Sequence, residues 1–241
     1  MIDLEMMQQR LKECGFEAAL PAAADLVKYL EMLKDWNTRM DLTAVLKDAE
    51  MVDRHFMDSL AILHHPELLP DGVKMIDVGT GAGFPGMVIA IARRDVQVTL
   101  LDSLQKRLTF LQAVKDALVL DNVTIVHARA EDGAHDQKHR EAYDIAVARA
   151  VAPSNVLMEY LLPYVKTGGR VVLWKGPSFA EEKDAARKAA FLLGGKQGSE
   201  IPYAIPGRDW AHLLSVTDKT GKTPAKYPRK AGTPSKSPLG V

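Results

Sequence analysis

The chain has 241 residues, 31 Lys+Arg against 31 Asp+Glu, and 47% hydrophobic residues, an ordinary globular composition that excludes a disordered, collagen-like or disulfide-stapled protein. No apolar run approaches the roughly 20 residues a membrane-crossing helix needs. The opening Ile2, Asp3, Leu4 and Glu5 carry acids where a signal peptide carries bases, and the single Cys14 can form no internal disulfide, so a cytoplasmic protein with no Cys-based metal site is expected. The neutral total hides an asymmetry: residues 1–70 hold 7 basic and 13 acidic side chains, residues 218–241 hold 6 and 1.

Apolar residues three and four apart, as in Leu26, Leu30 and Leu33, predict helices over about 3–14, 22–40 and 48–64. After the turn signal Pro70-Asp71-Gly72 the pattern changes to short apolar runs alternating with amphipathic stretches. Strands are expected at 73–78, 96–101, 123–126, 142–148 and 170–174, and helices at 85–94, 104–118, 155–165 and 181–193. Strands separated by helices of this length imply right-handed crossovers and a mostly parallel sheet covered on both faces. Two last runs, 199–205 and 212–216, flank Pro206-Gly207 and read as a closing antiparallel pair. The organisation is then an N-terminal helical extension (1–65) packed on the core, an α/β body (66–217) and a basic, flexible tail (218–241) rich in Pro, Gly, Ser and Thr, which buries too little apolar surface to order itself.

The most informative stretch is Asp77-Val78-Gly79-Thr80-Gly81-Ala82-Gly83-Phe84-Pro85-Gly86, a strand running into three alternating glycines and then a helix. Glycine suits a turn that needs positive φ and lets a ligand approach bare backbone, and the end of the first strand is the ligand crevice of an open α/β sheet. Residues 81–86 formally satisfy G-x-G-x-x-G, yet three features favour S-adenosylmethionine over NAD. Asp77 precedes the first glycine by two residues, where a carboxylate can face an ammonium. In the register that starts directly after the strand, Phe84 stands where the third glycine should be. The antiparallel closing pair suits a methyltransferase sheet. Asp102 ends the second strand, placed either to accept the ribose hydroxyls or to cap the helix that follows.

Here the sequence resembles the glucose-inhibited division protein B (GidB, RsmG) group of bacterial small-subunit rRNA guanine-N7 methyltransferases. The matching stretches are Arg54-His55-Phe56-Met57-Asp58-Ser59-Leu60, Asp77 to Gly86, Leu101-Asp102-Ser103 with Lys106-Arg107, Ala128-Arg129-Ala130-Glu131, Ala148-Arg149-Ala150-Val151-Ala152-Pro153, Lys175-Gly176 and the tail Lys226-Tyr227-Pro228-Arg229-Lys230-Ala231-Gly232-Thr233-Pro234. The chain departs from the usual Asn-Leu-Thr-Ala at Asp41. The resemblance implies a Rossmann-like α/β methyltransferase fold with a mostly parallel seven-stranded sheet, S-adenosyl-L-methionine as cofactor, and 7-methylguanosine in 16S rRNA, near the decoding centre, as product. It also implies that Gly79 and Phe84 line the cofactor loop, with Asp77, Gly81 and Gly83 in the same loop, that Asp102 meets the ribose and Ala130 and Glu131 the adenine, and that Arg149 stands at the mouth of the pocket.

The chemistry agrees with the residue types present. Guanine N7 carries a lone pair and no proton, so it attacks a sulfonium methyl without a general base or a thiol nucleophile, provided the reactants are held in line. Arg149, at the end of the fourth strand, suits clamping a phosphate or stacking on a base, or an ordinary ion pair. Lys175, Lys226, Tyr227, Arg229 and Lys230 are the candidate RNA contacts, with the tail as an arm on the 16S rRNA or small ribosomal subunit. His55 and Asp58 receive no catalytic step, and His135 and His139, though spaced i, i+4, lack a third metal ligand; no metal and a monomer are expected. A methyltransferase of the same fold acting on a small molecule or protein, an NAD-binding dehydrogenase and a silent RNA-binding protein are the competing readings.

Overall fold

A computed structural model describes residues 2–241. The helices α1 (Leu4–Glu13) and α2 (Ala23–Asn37) are followed by one continuous helical stretch made of α3 (Asp48–Met51), a π turn (Val52–Met57), α4 (Asp58–Leu60) and a 3-10 turn (Ala61–His64). The body alternates β1 (Lys74–Val78), α5 (Gly86–Ala92), β2 (Gln97–Asp102), α6 (Gln105–Leu118), β3 (Val123–His127), α7 (Ala130–Gly133), β4 (Tyr143–Arg149), α8 (Ser154–Leu161), β5 (Val165–Lys175), α9 (Phe179–Leu192), β6 (Gly195–Tyr203) and β7 (His212–Lys219), and α10 (Thr233–Lys236) lies near the C-terminus. Among the described residues no helix is long and apolar enough to cross a membrane.

The seven strands form one sheet in the order β3-β2-β1-β4-β5-β7-β6. β1 to β5 are parallel, and β7 runs antiparallel to both β5 and β6. The order reverses between β1 and β4, so a crevice opens beyond their carboxyl ends. Successive residues of each strand face opposite sides. Met75, Val98, Leu100, Ile145, Val147 and Val172 join α1, α2, α5 and α6 in one apolar cluster. Ile76, Val78, Leu101, Ala146, Val171 and Leu173 join α8 and α9 in the other. The N-terminal helices therefore cover one face of the sheet: Leu26, Leu30 and Leu33 are fully buried there, each contributing about 1.5–3 kcal/mol relative to exposure. A Leu30→Asp change would place an unpaired charge in that layer.

Local chemistry explains where the observed elements depart from the expected ones. The helix expected to run to residue 165 stops at Leu161, because Pro163 lacks the N–H that would continue it, and a 3-10 turn (Leu162–Tyr164) leads into β5. β5 is longer than its apolar run, since Val165 already pairs with Tyr143 across an irregular register. The C-terminal residues, expected as a flexible arm, run from β7 back over α7 and α8 as an ordered strap. Arg229 donates from Nε and NH2 to the carboxylate of Glu159 at 2.9 and 2.6 Å, and its backbone N–H to Oε1 at 2.8 Å. Glu159 is fully buried. Arg140 NH1 donates to the Tyr227 carbonyl at 2.9 Å, and Asn155 Nδ2 to the Leu239 carbonyl at 2.8 Å. The strap is ordered by polar clamps to buried partners, which composition does not reveal. Lys219 closes β7 with its side chain buried, Nζ donating to the Leu162 carbonyl at 2.8 Å.

Candidate active site

The carboxyl ends of β1, β2, β3 and β4 meet at an open cavity of about 640 Å³ walled by Gly79, Gly81, Phe84, Asp102, Ala130, Glu131 and Arg149, with Leu42 from the α2–α3 connection, His55 from the π turn, and Tyr160, Gly232 and Ser235 on the far side. The loop after β1 has φ of 74° at Gly79 and 61° at Gly81, conformations that side chains rarely adopt. Gly81 donates its N–H to Asp102 Oδ2 at 2.9 Å, while Asp102 Oδ1 accepts from Leu104 N–H at 2.8 Å where α6 begins. The same carboxylate thus ties the loop to β2 and starts the helix. A Cβ on Gly81 would meet no protein atom within 4 Å, so its bare backbone faces open space.

Two of the expected wall residues are not in the wall. Asp77 is fully buried beneath the loop, its Oδ2 accepting from Thr80 Oγ1 at 2.7 Å and from Gly86 N–H at 2.8 Å; Oδ1 has no hydrogen-bond partner among the described residues. Burial pushes this carboxyl up to about 6, against the downward pull of Thr80 and Gly86. Instead of facing an ammonium, Asp77 fastens the loop to the first turn of α5. Gly83 faces inward too: a Cβ there would fall 2.5 Å from the Tyr29 hydroxyl and 2.8 Å from Met87 Cβ. It is glycine because α2 packs against it. The Tyr29 hydroxyl donates to the Ala82 carbonyl, so α2 props the loop from below.

At the other end of the cavity Arg149 is a hub. NH1 donates to the Arg54 carbonyl at 2.6 Å and to Asp58 Oδ2 at 2.8 Å. NH2 lies 3.3 Å from His55 Nδ1, and the guanidinium carbon lies 5.3 Å from the Phe84 ring centroid. His55 stacks on Phe84 with ring centroids 4.7 Å apart and places Nε2 2.7 Å from Thr43 Oγ1. Because Nδ1 faces a donor, the ring proton is assigned to Nε2, which donates to the threonine. Burial, reinforced by the Arg149 charge, lowers the imidazole to about 4, so it is neutral at pH 7. Asp58 Oδ1 accepts from the Tyr203 hydroxyl at 2.6 Å and from His212 Nδ1 at 2.8 Å. Burial pushes the Asp58 carboxyl up, but His212, Arg149 and Tyr203 outweigh it and hold it below its ordinary value. Arg54, His55 and Asp58 come from the π turn and α4, a wider turn of the kind found at functional sites.

A second cavity of about 490 Å³ shares His55, Arg149 and Ala150 with the first and is otherwise walled by residues such as Arg54, Trp174, Lys175, Tyr203 and His212. Lys175 pairs there with Glu182 at 2.7 Å. The other expected RNA contacts divide. Lys226 and Lys230 are exposed, whereas Arg229 is committed to Glu159 and Tyr227 is buried against α8 and α9, so neither of these two is a free contact. His135 Nε2 meets the Pro228 carbonyl at 2.9 Å and His139 Nδ1 the Tyr143 hydroxyl at 2.6 Å. Sequence reasoning missed Tyr29, Tyr203, His212 and Ser235, and gave Gly232, which lies in the matching tail stretch, no role. Only the His55–Asp58 spacing offered a signal for the hub, since β6 and β7 bring their residues to it from more than 140 positions away.

This sheet order with a glycine loop after β1 defines the Rossmann-like fold of S-adenosylmethionine-dependent methyltransferases, and solved structures share it. The 16S rRNA (adenine(1408)-N(1))-methyltransferase from Catenulisporales acidiphilia superposes with TM-score 0.51 at 14% identity, over 64% of this chain and 88% of its own. M. jannaschii TYW2 in complex with AdoMet gives 0.51 at 12% identity, over 67% and 76%. The sequence is far more similar to named relatives. Ribosomal RNA small subunit methyltransferase G of Alkaliphilus metalliredigens is 44% identical over 97% of this chain and 98% of its own length, and that of Alkaliphilus oremlandii is 48% identical over 89% of each. The family model for rRNA small subunit methyltransferase G (GidB) matches residues 22–204. The chain belongs to this family and is a methyltransferase, which sets aside the dehydrogenase and silent-binder readings.

Proposed function

We propose that the chain transfers a methyl group from S-adenosylmethionine to N7 of one guanine in 16S rRNA, near the decoding centre. The observation that carries this reading is the junction of the two cavities. Its two shared titratable groups, His55 and Arg149, are bonded to each other and to their neighbours, so neither is placed to take a proton, and guanine N7 has none to give. The first cavity fits the cofactor by its donor set: bare backbone at Gly81, a carboxylate at Asp102 and another at Glu131, around a space that a side chain on Gly81 would enter.

When bound, the cofactor supplies an electrophilic methyl on a sulfonium. The chain's own residues do the rest. Asp102 keeps acceptor capacity beyond its two present bonds, enough for ribose hydroxyls. Ala130 and Glu131 wall the adenine end, and Gly79 and Phe84 hold the opposite one. Arg149 orients the incoming base or its phosphate from between the cavities. Asp58 balances the guanidinium charge, so the positive charge that moves onto the guanine does not face an unpaired cation. Lys226 and Lys230, both exposed, stand as phosphate contacts, whereas Lys175 is held by Glu182.

The direct test is transfer of labelled methyl to 16S rRNA and to small subunits from cells lacking this gene, followed by chemical cleavage at 7-methylguanine. One cleavage site is expected. Cofactor binding with no transfer to either RNA substrate would overturn the substrate, leaving the fold untouched.

A further inference from the structure

Among the described residues, Gly232 and Ser235 are the wall residues of the first cavity that follow the last strand, β7. Gly232 donates its N–H to Glu131 Oε1 at 2.8 Å. The Ser235 hydroxyl meets that of Tyr160 at 2.8 Å, and both Tyr160 and Glu131 wall the cavity. Just upstream, Arg229 fixes the strap to the buried Glu159. We infer that the C-terminal strap is a built part of the cofactor site: residues 229–237 seat the adenosine end of the sulfonium cofactor, with Ser235 a positioning residue at that end.

This rests on the proposed cofactor and sharpens it. The strap bonds to Glu131, at the β3 end of the cavity, whereas Arg149 is bonded to Arg54, Asp58 and His55 of the N-terminal segment at the junction where transfer would occur. Its contribution therefore falls on binding the nucleoside and not on the transfer step. A Cβ on Gly232 would meet no protein atom, so the backbone there, as at Gly81, is open to a ligand. The two glycines leave bare peptide on the loop after β1 and on the strap, which wall the same cavity. Because Ser235 is exposed, a large residue in its place leaves the packed body alone while filling the cavity edge.

The test is calorimetric titration of S-adenosylhomocysteine into the full chain. Ser235→Trp is expected to weaken binding at least about tenfold and Ser235→Ala about two- to threefold, with the unfolding midpoint of the free proteins unchanged. In turnover, Ser235→Trp should raise KM for the methyl donor while kcat at saturation stays within about twofold. Amide exchange over residues 229–237 of the wild-type chain should slow when S-adenosylhomocysteine is added. Wild-type affinity in Ser235→Trp together with unchanged exchange would overturn the role of the strap alone. A wild-type chain that does not bind S-adenosylhomocysteine would overturn the cofactor assignment, and the strap's role with it.

Discussion

The two ends of the chain reach the cavity from opposite faces of the sheet and are held there differently. On the N-terminal side, α2 and the helical stretch after it lie in a packed layer of Leu26, Leu30, Leu33, Phe56 and Met57, and that layer delivers Tyr29, His55 and Asp58 to the loop and to Arg149. On the C-terminal side the strap sets Tyr227 and Leu239 against the second cluster and is otherwise tied down by charge and hydrogen bonds at Glu159, Glu131 and Arg140. Apolar packing announces itself through helical spacing. A strap held by a few polar clamps has the composition of a disordered tail, and the partners that order it lie dozens of residues upstream.

The largest effect should come from cutting the N-terminal connection at its hub. Arg149→Ala removes the group that joins the Arg54 carbonyl, Asp58 and His55, and kcat/KM for methyl transfer should fall by about a hundredfold or more. Arg149→Lys should not restore it, because one ammonium cannot reproduce a planar fork that meets three partners. Near-normal turnover of the alanine variant would place Arg149 outside the site.

On the C-terminal side the corresponding cut is Arg229→Ala. It leaves Glu159, fully buried, with only a backbone N–H donor from residue 229. Leaving a buried carboxylate without its cation should cost about 3 kcal/mol, read by urea unfolding. Replacing both partners at once, as Glu159→Gln with Arg229→Ala, should recover part of that loss. If the single variant were as stable as wild type, the strap would be a loosely held arm and the contrast between the two ends would collapse.

A pH experiment separates the N-terminal His55 from Asp77 under the loop. Asp77, raised to about 6 by burial from an unfolded value of about 3.9, binds its proton more tightly in the folded chain. Its stabilising contribution is complete below about pH 4 and is lost as pH rises through 6. His55, lowered to about 4 by burial and by the Arg149 charge from about 6.5 unfolded, does the opposite: its contribution is complete above about pH 6.5 and is lost as pH falls through 4. The two slopes oppose each other between pH 4 and 6. Asp77→Asn should therefore expose stability that rises with pH, and His55→Gln stability that falls, each relative to wild type by on the order of 2–3 kcal/mol across the window. Parallel curves for the two variants would remove one of the two shifts.

Most of the sheet was legible from alternating apolar runs, and the crevice from the glycines that follow β1. Asp102 and Arg149 could be placed because each ends a parallel strand, and strand ends converge, whereas Glu131 was implied by the family resemblance alone. The inward turn of Asp77 was not legible: its alternative partners, Thr80 and Gly86, lie within the motif itself, and spacing alone does not say which side of the loop a carboxylate takes. Tyr203 and His212 were out of reach for another reason. They meet Asp58 through the antiparallel pairing of β6 with β7, a long-range register that no local pattern encodes.

The smallest effect belongs to Tyr29, and it tests how the N-terminal layer supports the loop. Its ring lies 5.6 Å from Phe84 and 5.3 Å from Phe56, contacts that Tyr29→Phe keeps. What goes is the hydroxyl bond to the Ala82 carbonyl, in a buried setting where an unmet acceptor costs about 1–2 kcal/mol. Since Ala82 stands between Gly81 in the cavity wall and Gly83 on Tyr29, a loop freed at that point should raise KM for the methyl donor about two- to fivefold and leave kcat unchanged. Gly83→Ala pushes from the other side, because its Cβ would fall 2.5 Å from the same hydroxyl, and should act in the same direction more strongly. If Tyr29→Phe shifted stability but not KM, α2 would support the body without positioning the loop, and the N-terminal contribution to the site would narrow to the segment that carries His55 and Asp58.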